Sequence, residues 1–314
     1  MALDDSPRPM LVIAFAALLL GGCSAYKWLG IRLFYDEAPV ASRVLRDLPY
    51  RADSESEHHK LDLFPAAGSG WPVVIFVPGG GWTEGSKDLV ISGADVYANI
   101  GRFYAHRGIG VALINYRLQP AVTWREQVGD VAAAVAWIRS NIAGYGGNPE
   151  ALFLSGHSAG AQLATYTALD ASVLSPLGFD HDVLCGVIPV SGLAFDLADG
   201  ETGGRGAMRS YYEKRFRAGD PGDGWLREAS AITYLTPASP PFLLLHGSRE
   251  RKALSRQNRL LFQALRAAGV ESELRIAKQT HRTMVLALAS EEKLPAQAVL
   301  EFVRGSSCGD RRVH

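Results

Sequence analysis

Ala151-Leu-Phe-Leu-Ser-Gly-His-Ser-Ala-Gly-Ala-Gln-Leu-Ala-Thr-Tyr-Thr-Ala-Leu169 is the stretch that decides the fold. Its first part, Ala151 to Ser155, is short and apolar enough for a buried strand. Its last part, Ala159 to Leu169, is rich in Ala and Leu and holds no breaker, so it reads as helix. Between them stand Gly156-His157-Ser158-Ala159-Gly160, a serine with a glycine two residues away on each side. A strand that turns directly into a helix brings the two backbones too close for larger side chains, which is the physical reason for glycine there.

A serine held at such a turn forms a nucleophile elbow. Its hydroxyl is a poor nucleophile unless a base takes its proton, an acid orients the base, and donors await the oxyanion. The expected chain order is serine, acid, histidine, each at a strand end. Four histidines follow Ser158: His181, His246, His281 and His314. His281 is expected in the loop after the last strand, between Thr280 and Arg282, and is the candidate base. His246 closes a strand before Gly247 and suits a structural hydrogen bond, His181 precedes a strand, and His314 is terminal. Glu250, in the loop after the preceding strand, is the candidate acid, and Asp196 beyond the Cys185 strand is its rival. The plain alternative for Glu250 is a surface carboxylate paired with Arg249 or Arg251, which stabilises little.

Upstream, Trp71-Pro-Val-Val-Ile-Phe-Val-Pro78 reads as a central strand that empties into Gly79-Gly80-Gly81-Trp82. Consecutive glycines suit a loop whose amide groups face a ligand without Cβ obstruction. Gly80 and Gly81, with Ala159 after the serine, are the candidate oxyanion donors, and Gly79 stays open as an alternative.

Strand and helix signals alternate along the rest of the chain. His59–Pro65 suits an outer strand, 92–106 a helix, and 108–116 a buried strand. Thr123-Trp-Arg-Glu126 has the form of a capping box ahead of a helix. Strands follow over 183–191, 241–247 and 271–277, with helices over 256–268 and 295–304. Such alternation in 314 residues, 47% of them apolar, predicts one α/β domain with a mostly parallel central sheet flanked by helices. The domain is expected over 57–305, with a lid-like insertion at 192–239 carrying Tyr211, Tyr212, Phe216 and Trp225, and a polar tail at 306–314. Lysine plus arginine equals aspartate plus glutamate at 32 each, so no basic footprint argues for nucleic acid.

Met10 to Leu20 is apolar, short for a bilayer span and right for a signal-peptide core, although Arg8 faces Asp4 and Asp5 in a weakly positive leader. It runs into Leu20-Gly21-Gly22-Cys23, which resembles the bacterial lipobox. The resemblance implies a signal peptide over 1–22, a lipid on Cys23, a membrane-proximal linker over 23–56, and a place in the bacterial cell envelope. Ser24 favours the outer membrane or periplasmic face by the same analogy, and an uncleaved anchor or plain secretion is the alternative. Of the other cysteines, Cys185 lies in an apolar run and reads as a core thiol, and Cys308 lies in the polar tail.

From about Leu61 to Val303 the chain resembles the α/β-hydrolase superfamily, in its esterase branch with an HGG-type oxyanion loop. Gly79-Gly-Gly-Trp82, Asn115-Tyr-Arg117, Tyr145-Gly-Gly-Asn-Pro149, the elbow and Leu245-His-Gly247 are similar to the carboxylesterase, arylformamidase and isoprenylcysteine methylesterase groups. Pro78 stands where the group usually has histidine, and Glu250 where it usually has aspartate; neither change removes a reacting atom. The resemblance implies a serine hydrolase of small-molecule carboxylic esters that works through Ser158, Glu250 and His281 with no metal or organic cofactor. An arylformamidase-like amidase and a catalytically silent, ligand-binding lipoprotein are the alternatives.

Overall fold

Runs such as Trp71–Val77 and Phe242–Gly247 carry apolar side chains on both faces, and only a sheet covered on both sides buries them all. The computed structural model, which describes residues 35–40, 43–91, 93–203, 206–217, 222–306 and 308, has that arrangement. The strands are β1 (Leu45–Pro49), β2 (Lys60–Phe64), β3 (Trp71–Val77), β4 (Val90–Ile91), β5 (Ala94–Asp95), β6 (Gly110–Ile114), β7 (Gly147–His157), β8 (Gly186–Val190), β9 (Phe242–Gly247) and β10 (Ser272–Ala277). The central sheet is eight-stranded in the order β1-β2-β6-β3-β7-β8-β9-β10, and β4 pairs only with β5. From β6 to β10 neighbours run parallel, while β2 runs antiparallel to both β1 and β6.

The helices are α1 (Val96–Ala105), α2 (Trp124–Asn141), α3 (Ala159–Leu169), α4 (Ala171–Leu174), α5 (Gly206–Phe216), α6 (Gly224–Glu228), α7 (Lys252–Ala267), α8 (His281–Ala287) and α9 (Leu294–Gly305). The two-residue period of the strands divides the core. Val73, Ile75 and Val77 face the layer built by α2, α3 and α7, whereas Val74 and Phe76 face that of α1, α8 and α9. The capping box at α2 forms as the sequence predicts, with Thr123 accepting from the Glu126 amide and Glu126 from the Thr123 amide. The insertion at 192–239 is more regular than its composition suggests, because α5 and α6 fold within it and bury Tyr212, Phe216 and Trp225 against the α2–α3 layer.

The start of the domain and the state of Cys185 differ from the sequence reading. The chain joins the sheet before residue 57, since β1 lies inside the expected linker and pairs with β2. The cause is Asp62, fully buried on β2, whose carboxylate takes the Asp47 amide at 2.9 Å and the Lys87 ammonium at 2.9 Å. Residues before β1 also engage the domain, because Asn99 of α1 receives the Ala38 amide at 2.8 Å and donates to the Asp36 carbonyl at 2.8 Å. Cys185 is not a lone core thiol: it forms a disulfide with Cys308, with their Cα atoms 5.1 Å apart across 123 residues. Phe302 of α9 packs on Phe153 of β7, with ring centroids 5.9 Å apart, and this brings Cys308 beside the start of β8. The expected leader and Cys23 lie outside the described residues. Among the described residues no helix is long and apolar enough to cross a membrane.

The elbow is a tight backbone junction. A Cβ on Gly160 would stand 2.2 Å from the Val77 carbonyl oxygen and 2.5 Å from that of Pro78, and one on Gly156 would stand 2.4 Å from the Gly160 carbonyl oxygen. Gly160→Ala is therefore expected to destabilise the fold by roughly 3 kcal/mol or more in denaturant unfolding. Gly129→Ala, on α2 with open space around its Cβ position, is expected to stabilise by about 0.5–1 kcal/mol. Equal effects of the two substitutions would contradict the packing described here.

Candidate active site

Ser158 sits between the last residue of β7 and the first of α3 with φ 57° and ψ −120°, a conformation strained for any residue with a Cβ. Two things hold it there: the close approach at Gly156 and Gly160, and hydrogen bonds on both sides of the residue. The Ser158 amide donates to the Val190 carbonyl at 3.0 Å, and the Ser158 carbonyl accepts from the Ala161 amide at 3.0 Å. The side chain is thereby carried above the C-terminal edge of the sheet.

His281 reaches it from the other side of that edge. The residue is the first of α8 rather than part of a free loop, because Thr280 and Thr283 close a capping box around the helix start. The Nε2 atom of His281 lies 3.0 Å from Ser158 Oγ, a distance at which the hydroxyl donates to the imidazole. His157, the residue before the serine, donates from Nε2 to the His281 carbonyl at 3.0 Å, and the two rings lie 4.7 Å apart. Burial pushes the His157 pKa down to about 3, so this ring stays neutral. His281 is itself shifted below the ordinary histidine value: burial contributes most, the Glu250 charge opposes it, and Arg282 and Arg251 add to it.

Glu250 stands in the loop after β9. Its Oε1 accepts from the Gly247 amide at 3.0 Å and from the Ser191 hydroxyl. Its Oε2 and the Nδ1 of His281 are both buried with no hydrogen-bond partner among the described residues. The rival acid is used elsewhere, since Asp196 Oδ1 accepts the Ala198 amide at 3.0 Å, an Asx-type turn. His246 is buried on β9 as a structural residue.

In the glycine loop, the Gly79 amide is taken by the Tyr97 hydroxyl at 3.0 Å, which removes Gly79 as a free donor. Gly80 and Gly81 have φ of 139° and 61°, and a Cβ on Gly80 would stand 1.9 Å from the Glu84 carbonyl oxygen. The loop's carbonyls are tied away from the serine: Pro78 to the Tyr116 hydroxyl at 3.1 Å, Gly80 to the Glu84 amide at 3.0 Å, Gly81 to Arg215 Nε at 3.0 Å, and Trp82 to Gln127 Nε2 at 2.7 Å. The amides of Gly80, Gly81 and Ala159 have no acceptor among the described residues. Tyr116 and Tyr97 give the loop the bracing that Pro78, lacking a polar side chain, does not supply.

A cavity of about 650 Å³ opens at His281, with Leu193, Leu254 and the α5 residues Met208, Tyr211 and Tyr212 in its wall. Phe216 fixes α5 over the glycine loop, its ring centroid 4.9 Å from that of Trp82. No group of acidic, histidine or cysteine side chains suited to a metal ion occurs among the described residues.

Sequence reasoning missed His157, Tyr97 and Ser191. His157 occupies the variable place of the elbow pattern, and neither Tyr97 nor Ser191 carries a local signal of its partner. Only the tertiary fold brings Tyr97 of α1 under Gly79 and Ser191 beside Glu250.

Residues 61–185 match the family model BD-FAE. The chain is similar to Esterase LipQ of Mycobacterium tuberculosis, 34% identical over 268 residues that cover 82% of this chain and 61% of that protein. It is 31% identical over 252 residues to a probable isoprenylcysteine α-carbonyl methylesterase of Oryza sativa subsp. japonica, covering 74% of this chain and 56% of the relative. The chain thus spans little more than half the length of these curated relatives. Among solved structures, esterase B of Lactobacillus rhamnosis superposes with a TM-score of 0.67 at 22% identity, covering 94% of this chain and 93% of that one. That likeness shows the α/β-hydrolase fold.

Because the pKa of His281 is depressed, the neutral imidazole is expected to persist above a midpoint lower than about 6.5 and to be lost as pH falls through it. A Ser158-dependent rate should follow the same acid limb in kcat/KM. A midpoint at or above that value would show that Glu250, rather than burial, dominates at His281.

Proposed function

We propose that this chain, which has the α/β-hydrolase fold and resembles curated esterases, is a serine hydrolase of carboxylic esters working through an acyl-enzyme. The observation that carries the reading is the 3.0 Å contact between Ser158 Oγ, on its strained turn, and His281 Nε2. LipQ is named an esterase, and so is the Lactobacillus rhamnosis neighbour, which agrees with that chemistry.

In the proposed reaction Ser158 Oγ attacks the ester carbonyl carbon while its proton passes to His281 Nε2. The carbonyl oxygen becomes an oxyanion facing the amides of Gly80, Gly81 and Ala159, the last at the positive end of α3. The tetrahedral adduct collapses, the C–O bond to the alcohol breaks, and the departing oxygen takes the proton from His281 Nε2, so that the alcohol leaves and the imidazole is neutral again. Water then repeats the attack with His281 as base, releasing the acid and restoring the serine. Glu250 orients the imidazole through Nδ1 and stabilises the imidazolium; the two unpartnered buried atoms at that point, Nδ1 and Oε2, support this assignment. Such links are often loose in a free enzyme and tighten around substrate.

We also propose that the protein is held in the bacterial cell envelope through lipid on Cys23. The Cys185–Cys308 disulfide supports an oxidising compartment, because such bonds persist outside the cytoplasm. A mature chain that begins at an acylated Cys23 by intact mass is the expected result, and a free thiol at that residue, or another first residue, would contradict it.

Hydrolysis of p-nitrophenyl butyrate tests the catalytic assignment. Ser158→Ala is expected to abolish turnover, and Glu250→Ala to lower kcat by roughly 100-fold or more, with the fold intact by circular dichroism. Asp196→Ala should stay within a few-fold of wild type. Equal losses at positions 250 and 196 would reassign the acid, and a formyl anilide cleaved faster than every ester would move the reading to an amidase.

A further inference from the structure

The cavity beside His281 has an apolar wall and a cationic one. Met208, Tyr211, Tyr212 and Leu254 supply the first; Arg251 and Arg282 supply the second. Among the described residues no aspartate or glutamate lines the cavity. Arg251 directly follows the proposed acid Glu250 and precedes α7, and Arg282 directly follows His281 within α8. Both guanidinium groups are therefore carried on the starts of helices, at places fixed by the site itself.

Other arginines of this chain meet carboxylates. Arg117 pairs with Asp130 at 2.9 Å and Arg256 with Asp199 at 2.7 Å. Arg251 and Arg282 have no acidic partner within salt-bridge distance among the described residues, and both side chains are exposed. Their charges reach the reacting centre, since both lower the proton affinity of His281. Two like charges on one cavity repel each other, and an anion placed between them relieves that repulsion. Guanidinium groups are suited to such a guest because their planar fork matches a carboxylate in bidentate geometry.

We infer that the preferred substrates are esters bearing a carboxylate remote from the scissile bond, with the apolar part against Met208, Tyr211 and Leu254 and the carboxylate on Arg251 and Arg282. This inference rests on the esterase reading above. It assigns the two arginines to substrate selection, outside the proton transfer.

Matched pairs of substrates test it. With the charge on the alcohol side, 3-carboxyphenyl butanoate is compared with 3-carbamoylphenyl butanoate. With the charge on the acyl side, monophenyl adipate is compared with phenyl 5-carbamoylpentanoate. In at least one pair the wild type is expected to favour the carboxylate by about tenfold in kcat/KM, the low end for a charge-assisted hydrogen bond because the heads are exposed. That ratio should shrink as salt rises and fall to about one in the double variant Arg251→Gln/Arg282→Gln. The pair that shows the preference identifies which side of the ester holds the anion. Ratios of one or less in both pairs, with Ser158-dependent hydrolysis of the neutral esters, would overturn the substrate assignment and leave the esterase reading intact. Absence of hydrolysis of all four esters by folded protein would remove both.

Discussion

The approach of α3 to the end of β3 is the constraint on which the site depends. At Gly160 the helix backbone comes so near the Val77 and Pro78 carbonyls that no Cβ fits. The same contact therefore fixes two parts at once: the turn that presents Ser158 and the strand end from which the glycine loop departs. A nucleophile and its oxyanion donors must hold their spacing to a fraction of an ångström, and rigid elements do this better than loops. Here the glycine loop is itself stiffened, with each carbonyl from Pro78 to Trp82 except that of Gly79 tied back to a donor.

The second half of the site is electrostatic. His281 lies on burial, which disfavours its charged form, and beside Glu250, which favours it. In the proposed reaction the base is neutral before attack and cationic during it, and both influences suit that role. His157 adds a neutral, buried donor to the His281 backbone, so the residue before Ser158 steadies the residue that faces the Ser158 hydroxyl. The insertion joins this arrangement through α5, where Arg215 reaches the Gly81 carbonyl and Tyr211 lines the cavity.

Much of this was legible in the sequence because it is local. The span of α3, Ala159–Leu169, follows from its composition, and the cap at Thr123 follows from its spacing. The alternation of strands and helices sufficed for a mostly parallel sheet. What escaped is long-range. Strand β1 reads as a linker because its few residues hold no strong pattern, and only the buried Asp62 on β2 explains its place. Cys185 and Cys308 stand 123 residues apart, and nothing near either one signals the other. The use of the Gly79 amide by Tyr97 likewise depends on a side chain from another element, whereas the Thr280–Thr283 cap that makes His281 the first residue of α8 is local and was open to reading.

The central claim is that Ser158 is an activated nucleophile, and covalent trapping tests it most directly. Purified wild type would be treated with a fluorophosphonate and the adduct mapped by peptide mass spectrometry. The account predicts a single phosphonylated residue, Ser158, with the rate of labelling greatly reduced in His281→Ala. A folded protein that stays unlabelled, or carries the adduct on another serine, would contradict it.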